Sequence, residues 1–351
     1  MVGLLLFVFA VAACGRDAAP DDGAPRGEVV LYCSADPGHF RPVIDAFEKQ
    51  TGIAVRVVGD TEATKTTGLV HRLLAEKDAP RADVWWSSEA MGTVQLARAG
   101  VLEPYISESA EAAMREQGLP GWPAHLRAVD LTWYGFAQRA RVFVVNVNRV
   151  TEARAPRTIF GLGDATFRNR IGIARPQFGT TRSHVAAILA RYGEEATRDW
   201  LRSLKDNGVR LYDGNMTVVR AVAQGEIDLG LTDTDDVWAG KRNGWPVEMY
   251  FETPMPLPSG VSPGPLVIPN TVALVRGGPN PENARRLIDF LLSPEAERIL
   301  ARGESRNAPV NPSVAAEFPS NAFPDAESIR WEQIADHAEP AMRLVEEVLG
   351  G

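Results

Sequence analysis

The chain has 351 residues, of which 45% are hydrophobic and 23% are charged, and these fractions are typical of a folded protein and exclude large-scale disorder. Its formal net charge is -8 at pH 7 and the sequence contains no basic cluster, which argues against a nucleic-acid partner. The length is enough for two domains of ordinary size, each with a core of its own.

Residues 1–14 are predicted to be a signal peptide of the lipoprotein type. The apolar run Leu4–Ala12 is too short to span a bilayer but suits a signal-peptide core. It ends in Val-Ala-Ala-Cys, which resembles the bacterial lipobox, whose cysteine is acylated; here that residue is Cys14. Residues 15–27 contain Pro and Gly and are expected to form a flexible tether. We therefore expect a protein of the periplasm or cell envelope that is lipid-anchored through Cys14, the alternative being an ordinary secretory signal with an incidental cysteine.

The cysteine count agrees with this assignment. With Cys14 lipidated, only Cys33 remains, so the sequence predicts no intramolecular disulfide. Cys33 is expected to be a small buried hydrophobe, and stability has to come from core packing.

The first part of the chain alternates strand, loop and helix, which is typical of a doubly wound α/β sheet. The predicted segments are the strand Glu28–Tyr32, the helix Phe40–Gln50, the strand Ile53–Val58, the helix Thr66–Glu76 and the strand Ala82–Trp86. In such sheets the loops at the carboxyl ends of the strands line the ligand crevice. The polar candidates in those loops are Ser34, Asp36 and His39 after the first strand, Glu62 after the second and Glu89 after the third. For Glu89 the alternative is a place in the first turn of the next helix, capped by a preceding serine; both roles can coexist.

The middle of the chain continues the same pattern. Arg139–Asn146 is predicted to be a strand that crosses between two lobes, and Ile171–Ala174 is a strand that leads to Gly179, Thr180 and Thr181 at the start of a helix. Such a helix start offers unpaired N–H groups and hydroxyls and therefore predicts an anion pocket, although threonine is also a common helix cap. Asn215 follows the next strand and is expected near this pocket.

The most unusual stretch is Asp228–Trp238, which reads DLGLTDTDDVW. A short apolar strand is followed by Asp233, Asp235 and Asp236, and carboxylates this close repel one another unless water or a cation separates their charges. The alternative is that Thr234 or Asp235 caps a helix that begins near Asp236, with the other carboxylates solvated. A calcium loop of the EF-hand type is excluded because its glycine and its closing glutamate are missing.

The last third contains a proline-rich extended segment and then more helix. Residues 254–269 are expected to be extended, Asn270–Arg276 to be a strand, and Pro281–Arg302 to be two helices around Ser293 and Pro294. Ile329–Leu349 is predicted to be a closing helix.

Several motifs, in this order, resemble the periplasmic solute-binding proteins of ABC importers, and specifically the ferric-iron-binding group. The motifs are VVLYCSADPGHF, AFEKQTGIAV, PRADVWWSSEA, ARAGVLEPY, FRNRIGIARPQFGTTRSHVAAI, QGEIDLGLTDTDD, NPENARRLIDFLLSPEAERIL and RNAPVNP. The resemblance runs from about Glu28 to Pro312. It implies a two-lobed fold of the type II periplasmic-binding-protein class, in which each lobe is a mixed sheet flanked by helices and crossing hinge strands join the lobes. On this basis residues 28–138 and 264–305 are expected to form lobe 1, residues 139–263 lobe 2, and residues 306–351 a C-terminal helical segment that packs on both.

The resemblance also implies a ligand site in the cleft. In the iron-binding members a histidine, a glutamate and two adjacent tyrosines hold the metal, and an anion at a helix start completes the shell. Position by position, the first ligand falls near Asp36, with His39 as a competitor, and the glutamate falls at Glu89. The anion-binding backbone falls at Gly179 and Thr180, and its asparagine at Asn215. The tyrosine pair falls at Asp235 and Asp236, and this departure matters because carboxylates bind hard cations in general, magnesium, calcium and manganese among them.

The sequence therefore predicts a lipid-anchored substrate-binding protein that captures a metal cation, iron or another hard cation, with or without a synergistic anion, and delivers it to an ABC permease and its ATPase. The metal is the transported ligand, no cofactor is expected, and we expect a monomer. The expected metal ligands are Asp36, Glu62, Glu89, Asp233, Asp235 and Asp236, and the expected anion-binding residues are Ser34, Gly179, Thr180, Thr181 and Asn215.

Three alternatives stay open at this stage. The first is a protein of the same class that binds an organic cation or zwitterion such as thiamine, a polyamine or an aminophosphonate, whose phosphonate would lie at the Gly179–Thr181 helix start. The second is a metal-dependent hydrolase, which the absence of HxH and HExxH patterns disfavours. The third is a receptor-type sensor that signals to a membrane partner.

The lipobox leads to a direct test. Cys14→Ser should abolish acylation, because the thiol that accepts the lipid is lost, and should leave the protein free or held only by an uncleaved signal. Fatty-acid labelling of the wild type and of this variant measures the difference. A wild type that incorporates no label would show that Cys14 is an incidental cysteine.

Overall fold

A computed structural model describes residues 27–60, 66–253, 264–324 and 329–350 of the protein. The described strands are β1 Glu28–Cys33, β2 Ala54–Gly59, β3 Val84–Ser87, β4 Leu102–Glu103, β5 Tyr134–Asn146, β6 Ile171–Ala174, β7 Arg210–Tyr212, β8 Leu229–Asp233, β9 Val247–Tyr250 and β10 Val267–Val275. They form one sheet of ten strands, whose main order is β2-β1-β3-β10-β5-β8-β6-β7. In addition, β4 pairs with β10 and β9 pairs with β5.

Helices cover this sheet on both sides. The α-helices are α1 Pro37–Thr51, α2 Thr67–Ala75, α3 Met91–Arg98, α4 Glu108–Glu116, α5 Gly179–Asp206, α6 Asn215–Gln224, α7 Thr234–Arg242, α8 Pro281–Leu291, α9 Pro294–Arg302, α10 Pro312–Glu317, α11 Trp331–Asp336 and α12 Ala338–Leu349. Short 3₁₀ turns lie at Ala124–Leu126, Glu152–Arg154, Ile159–Gly163, Ala165–Phe167 and Pro319–Asn321. No helix within the described residues is both long enough and apolar enough to cross a membrane.

The first half of the sheet is buried on both faces. β1 pairs in parallel with β2 and with β3. Because successive side chains of a strand point to opposite faces, alternate residues of β3 belong to different hydrophobic clusters. Trp85 packs with Leu69 and Leu73 of α2 on one side, whereas Val84 and Trp86 pack into the cluster on the other side.

The two halves of the sheet meet at one long strand. β5 pairs antiparallel with β10 as far as Ala140 and then, from Arg141, antiparallel with β8. β8 and β6 are parallel neighbours, and so are β6 and β7. The carboxyl ends of β6, β7 and β8 therefore lie along one edge of the sheet, next to the point where β5 crosses from one half to the other.

The C-terminal helices pack against both halves. Arg98 of α3 forms an ion pair of 2.7 Å with Asp336 at the end of α11. The Lys205 ammonium at the end of α5 donates to the Val348 carbonyl of α12 at 2.8 Å. The last segment of the chain thus contacts a helix from each half.

The predicted two-lobed α/β fold of the type II periplasmic-binding-protein class is confirmed, while the exact lobe boundaries stay a prediction. α5 has a kink at Gly193, where φ is 80°. Cys33 is fully buried, as expected.

Several predicted element boundaries are wrong. The predicted closing helix Ile329–Leu349 is two helices, α11 and α12, separated at His337. β5 begins at Tyr134 rather than Arg139, and β10 begins at Val267 rather than Asn270, because pairing between these two strands extends both of them. α7 begins at Thr234, so the aspartates that follow lie in its first turn rather than in a loop.

Several sequence-based predictions lie outside the described residues. They are the signal peptide at residues 1–14 with Cys14, the tether up to residue 26, the candidate ligand Glu62, and residues 254–263 of the extended segment.

The buried Asp83 connects distant parts of the first half. Its carboxylate accepts hydrogen bonds from the Val30 N–H at 2.7 Å and from the backbone and side-chain N–H groups of Asn280 at 2.5 and 2.9 Å. Asp83→Ala leaves two buried backbone donors without an acceptor and should lower the free energy of unfolding by roughly 2–5 kcal/mol. Urea denaturation measures this loss, with the exposed Asp45→Ala as a control for charge. Equal effects of the two substitutions would contradict the connecting role.

Candidate functional site

Asp233, the last residue of β8, is held by four donors at the sheet edge. Its Oδ1 accepts from Arg141 Nη1 at 2.9 Å. Its Oδ2 accepts from Thr180 Oγ1 at 2.8 Å, from Asn215 Nδ2 at 3.0 Å and from Arg139 Nε at 3.4 Å. Burial alone would raise the pKa of Asp233, but the two guanidinium groups and these hydrogen bonds outweigh burial and hold that pKa below its usual value.

The topology explains why these residues meet. Thr180 lies in the first turn of α5 after β6, Asn215 begins α6 after β7, and Asp233 ends β8, so the parallel strands bring all three to the same edge. Arg139 and Arg141 are two residues apart on β5 and therefore point to the same face of that strand. Arg141 pairs directly with Asp233 in the antiparallel register of β5 and β8.

Asp235 and Asp236 lie beside Asp233 in the first turn of α7. The three residues can each offer one carboxylate oxygen within 4.8 Å of the others, the distance range of a shared cation. Asp236 accepts from Thr232 Oγ1 at 3.2 Å, and Asp235 Oδ2 lies 3.8 Å from Arg139 Nε. Asp235 Oδ1 is buried and has no hydrogen-bond partner within the described part of the chain.

The pKa values of Asp235 and Asp236 shift in the direction opposite to that of Asp233. Burial is the largest cause and raises the pKa of both carboxyls. For Asp236 the charges of its two neighbouring aspartates raise the pKa further, to well above its usual value, with Arg139 acting against them. These two carboxyls therefore hold their protons to a higher pH than an exposed aspartate does.

Loops of the first half approach the same place. The Ser34 hydroxyl accepts from the Ser88 N–H at 3.0 Å and lies 3.4 Å from the Ser87 hydroxyl. Ser34 thus joins the loops after β1 and β3, and its hydrogen bonds are not made to Thr180 or Asn215. Arg139 Nη1 donates to the Ser88 carbonyl, so this arginine connects the loop after β3 with the aspartates of the second half.

Glu89 is buried and caps α3. Its carboxylate accepts from the N–H groups of Met91 at 2.6 Å and Gly92 at 3.0 Å. Glu89 therefore precedes α3 and caps it, whereas the alternative prediction placed it in the first turn behind a serine cap. Burial raises the pKa of Glu89 in spite of these bonds, and the positive charge of Arg139 partly offsets the rise.

The two candidates in the first loop differ in their relation to the aspartates. Asp36 is half-buried at the N-cap position of α1. His39 lies in the first turn of that helix and is close enough for its charge to lower the pKa of Asp235, against the larger effect of burial. His39 therefore lies close enough to the aspartate cluster to interact with it electrostatically.

The predicted anion pocket is partly occupied by the protein itself. Thr180 and Asn215 direct their side chains to Asp233, as described above. Gly179 has φ of +55° and no heavy atom within 4 Å of the position that a Cβ would take. The hydroxyls of Thr181 and Ser183 are buried without a hydrogen-bond partner in the part of the chain that the structure describes.

Arg139, Arg141 and His184 belong to the site but were not among the predicted site residues. The guanidinium of Arg141 is only 1% exposed and donates from Nε to His184 Nδ1 at 3.4 Å. Burial and the neighbouring Arg141 hold the pKa of His184 well below its usual value, so its imidazole is neutral and can accept. The signal was present: two arginines at alternate positions of a strand that is otherwise apolar are costly to bury without anionic partners.

The chain resembles known proteins in sequence and structure. A family model of bacterial extracellular solute-binding proteins matches residues 43–330. The major ferric iron-binding protein of Neisseria meningitidis serogroup B is 28% identical over 291 residues, which cover 83% of each chain. Iron uptake protein A1 of a Synechocystis species is 28% identical over 330 residues, covering 89% of this chain and 86% of that one. The crystal structure of apo ferric ion-binding protein A of Pasteurella haemolytica superimposes with a TM-score of 0.78 at 25% identity, covering 92% of this chain and 98% of that chain.

The raised pKa values predict how stability depends on pH. Because the native state holds protons on Asp235 and Asp236 above the ordinary pKa of 3.8, it binds more protons than the unfolded chain, and the free energy of unfolding falls as pH rises through this range. Asp235→Asn/Asp236→Asn should remove this dependence, so its melting temperature should exceed that of the wild type at pH 7 and approach it near pH 4. Scanning calorimetry in a chelator measures the difference, and Asp199→Asn/Asp206→Asn on the exposed face of α5 controls for net charge. A difference that is constant with pH would contradict the assignment.

Proposed function

The chain belongs to the family of bacterial extracellular solute-binding proteins, and from this premise we propose that it captures a hard metal cation in the cleft between its lobes and delivers it to an ABC permease with its ATPase. Its relatives from Neisseria and Synechocystis are named for ferric iron binding and iron uptake, so iron is the first cation to test. The metal is the transported ligand and not a cofactor.

The observation that carries this proposal is the pair Asp235 and Asp236 beside Asp233. Like charges this close are unfavourable, and a cation that shares their oxygens removes the repulsion. Asp235 Oδ1 has no partner among the described residues, and Asp236 accepts only from the Thr232 hydroxyl among them. Oxygen ligands of this kind suit hard cations.

The metal need not be ferric iron alone. Asp235 and Asp236 stand where the resemblance places the two tyrosines of the iron-binding group. Carboxylates also bind manganese, calcium and magnesium, which differ in the coordination number and ligand distances that they require. We therefore propose a hard-cation site whose selectivity depends on the distance between these two carboxylates.

Ligand capture would also favour closure of the lobes. Asp235 and Asp236 belong to the second half of the sheet, whereas His39 and Glu89 come from the first. A cation bound at the aspartates attracts the acidic groups of the first half, including Glu89. A ligand shifts the equilibrium between open and closed forms by its difference in affinity for the two.

The remaining parts of the proposal concern location and class. We propose that Cys14 anchors the protein at the outer face of the membrane, that the protein acts as a monomer, and that it has no catalytic activity of its own. The family is one of solute-binding proteins, and this supports the last point.

Binding measurements on the aspartates test the proposal. Asp235→Asn/Asp236→Asn should weaken cation binding by 100-fold or more, since each lost charge-assisted contact costs roughly 1.5–3 kcal/mol, or about 10- to 100-fold in affinity. Wild-type affinity should fall on acidification because protons compete for carboxyls whose pKa values are raised. Calorimetry with Mn²⁺ and with ferric citrate measures affinity, and small-angle scattering measures closure.

The matched control is Asp199→Asn/Asp206→Asn, which changes the net charge equally on an exposed helix face. If the cleft variant binds and closes as the wild type does, the aspartates are only part of a helix start. Native mass spectrometry and elemental analysis of protein from its own host then identify the ligand that it carries.

A further inference from the structure

The geometry points to Asp233 as an anion that the protein itself supplies to its anion pocket, and this inference rests on the proposed cation site at Asp235 and Asp236. The sequence pattern predicts an anion from solution at the start of α5. The position of the Asp233 carboxylate makes such an anion unnecessary.

The donors around Asp233 are those expected of an anion pocket. Thr180 lies at the start of α5 and Asn215 at the start of α6, and the two guanidinium groups belong to β5. The distances to the carboxylate are 2.8 Å from Thr180 Oγ1, 3.0 Å from Asn215 Nδ2, 2.9 Å from Arg141 Nη1 and 3.4 Å from Arg139 Nε. Two of these, Thr180 and Asn215, are residues that the family resemblance assigns to anion binding.

The coordination of Asp233 separates it from the other two aspartates. Its Oδ2 accepts from Thr180, Asn215 and Arg139, and its Oδ1 accepts from Arg141, so this carboxylate receives more hydrogen bonds than either of its neighbours. Asp233 is only 2% exposed. Asp235 and Asp236 retain acceptor capacity, so a cation is held by these two while Asp233 remains with its donors.

A neutralising anion is needed because the arginines oppose cation binding. Arg139 Nε lies 3.8 Å from Asp235 Oδ2, and a bare guanidinium at this distance would repel a cation placed there. Asp233 lies 3.4 Å from the same Nε and 2.9 Å from Arg141 Nη1 and balances these positive charges. Asp233 therefore neutralises the arginines beside the cation site, as a carbonate or phosphate from solution would.

The negative charge of Asp233 also affects which class of ligand the site can bind. A zwitterion whose phosphonate should lie at the start of α5 would meet the negative charge of Asp233 in that place. The structure thus favours a cation without an anionic partner over an aminophosphonate.

The experiment compares three variants of Asp233 and a matched control, with Mn²⁺ as the probe and chloride as the only small anion. Wild-type affinity should not change when millimolar formate, bicarbonate or phosphate is added. Asp233→Ala leaves a space lined by the same donors, so Mn²⁺ affinity should fall by about tenfold or more, and formate should restore it. Asp233→Asn fills the space with a neutral amide, so its affinity should fall equally without rescue by formate. Asp233→Glu should keep the charge and stay independent of formate.

The matched control is Asp228→Ala. Asp228 is the other buried aspartate of the second half held by two arginines, with Arg170 at 2.6 Å and Arg149 at 3.2 Å, but it lies at the opposite end of β8. Its loss should reduce stability without making Mn²⁺ binding depend on formate. Formate should also raise the melting temperature of Asp233→Ala, a readout that needs no metal.

The outcomes separate this inference from the proposed function. Wild-type binding that requires an added anion, or Asp233→Ala that formate does not rescue, overturns the inference while the cation site stands. If Asp233→Ala does not fold, two other measurements still test the inference. They are the effect of added anions on Mn²⁺ binding by the wild type and the Mn²⁺ affinity of Asp233→Asn. If Mn²⁺ binds the wild type no better than Asp235→Asn/Asp236→Asn, the cation site itself is wrong, and the melting temperature of Asp233→Ala in formate still tests the pocket.

Discussion

The buried ion pair between Arg141 and Asp233 is the interaction on which the rest of the site depends. Neither side chain is more than 3% exposed, and the guanidinium and carboxylate meet at 2.9 Å where β5 and β8 pair. Removing one partner of a buried pair leaves a charge uncompensated in the interior, which typically costs about 3–5 kcal/mol. The hydroxyl of Thr180 and the amide of Asn215 donate to the same carboxylate. One acidic group therefore fixes the start of α5, the start of α6 and the end of β8 relative to one another.

This ion pair gives the three aspartates of one short stretch two different roles. Asp233 stays ionised because guanidinium groups and hydrogen bonds outweigh its burial. Asp235 and Asp236 are near the same positive charges but receive fewer hydrogen bonds, so burial and mutual repulsion raise their pKa values. This division suits the cation site that we propose, in which a fixed pair maintains the geometry while the other two carboxylates exchange protons for a cation.

Arg139 extends the same network to the first half of the molecule. It lies on the strand that crosses between the halves, contacts Asp233 and Asp235 on one side, and donates to the Ser88 carbonyl on the other. A change of charge at the aspartates therefore acts on a residue that also touches the loop after β3. For the cation site that we propose, this side chain offers a direct physical route from the aspartates to the first half, since it is part of the crossing strand itself.

The sequence by itself determined the fold class, most of the strands and helices, the family, and the stretch that holds the three aspartates. These features depend on local periodicity, on turn residues and on motif order, which can be read along the chain. Tertiary structure alone decided which aspartate pairs with which arginine, because Arg139 and Arg141 are about ninety positions from Asp233 in sequence and meet it only through the antiparallel register of β5 and β8. It also decided that Thr180 and Asn215 serve an internal carboxylate, since hydrogen-bond partners depend on the packing of strand ends and not on residue type. The sequence therefore located the site, and long-range pairing across the sheet assigned a role to each of its charges.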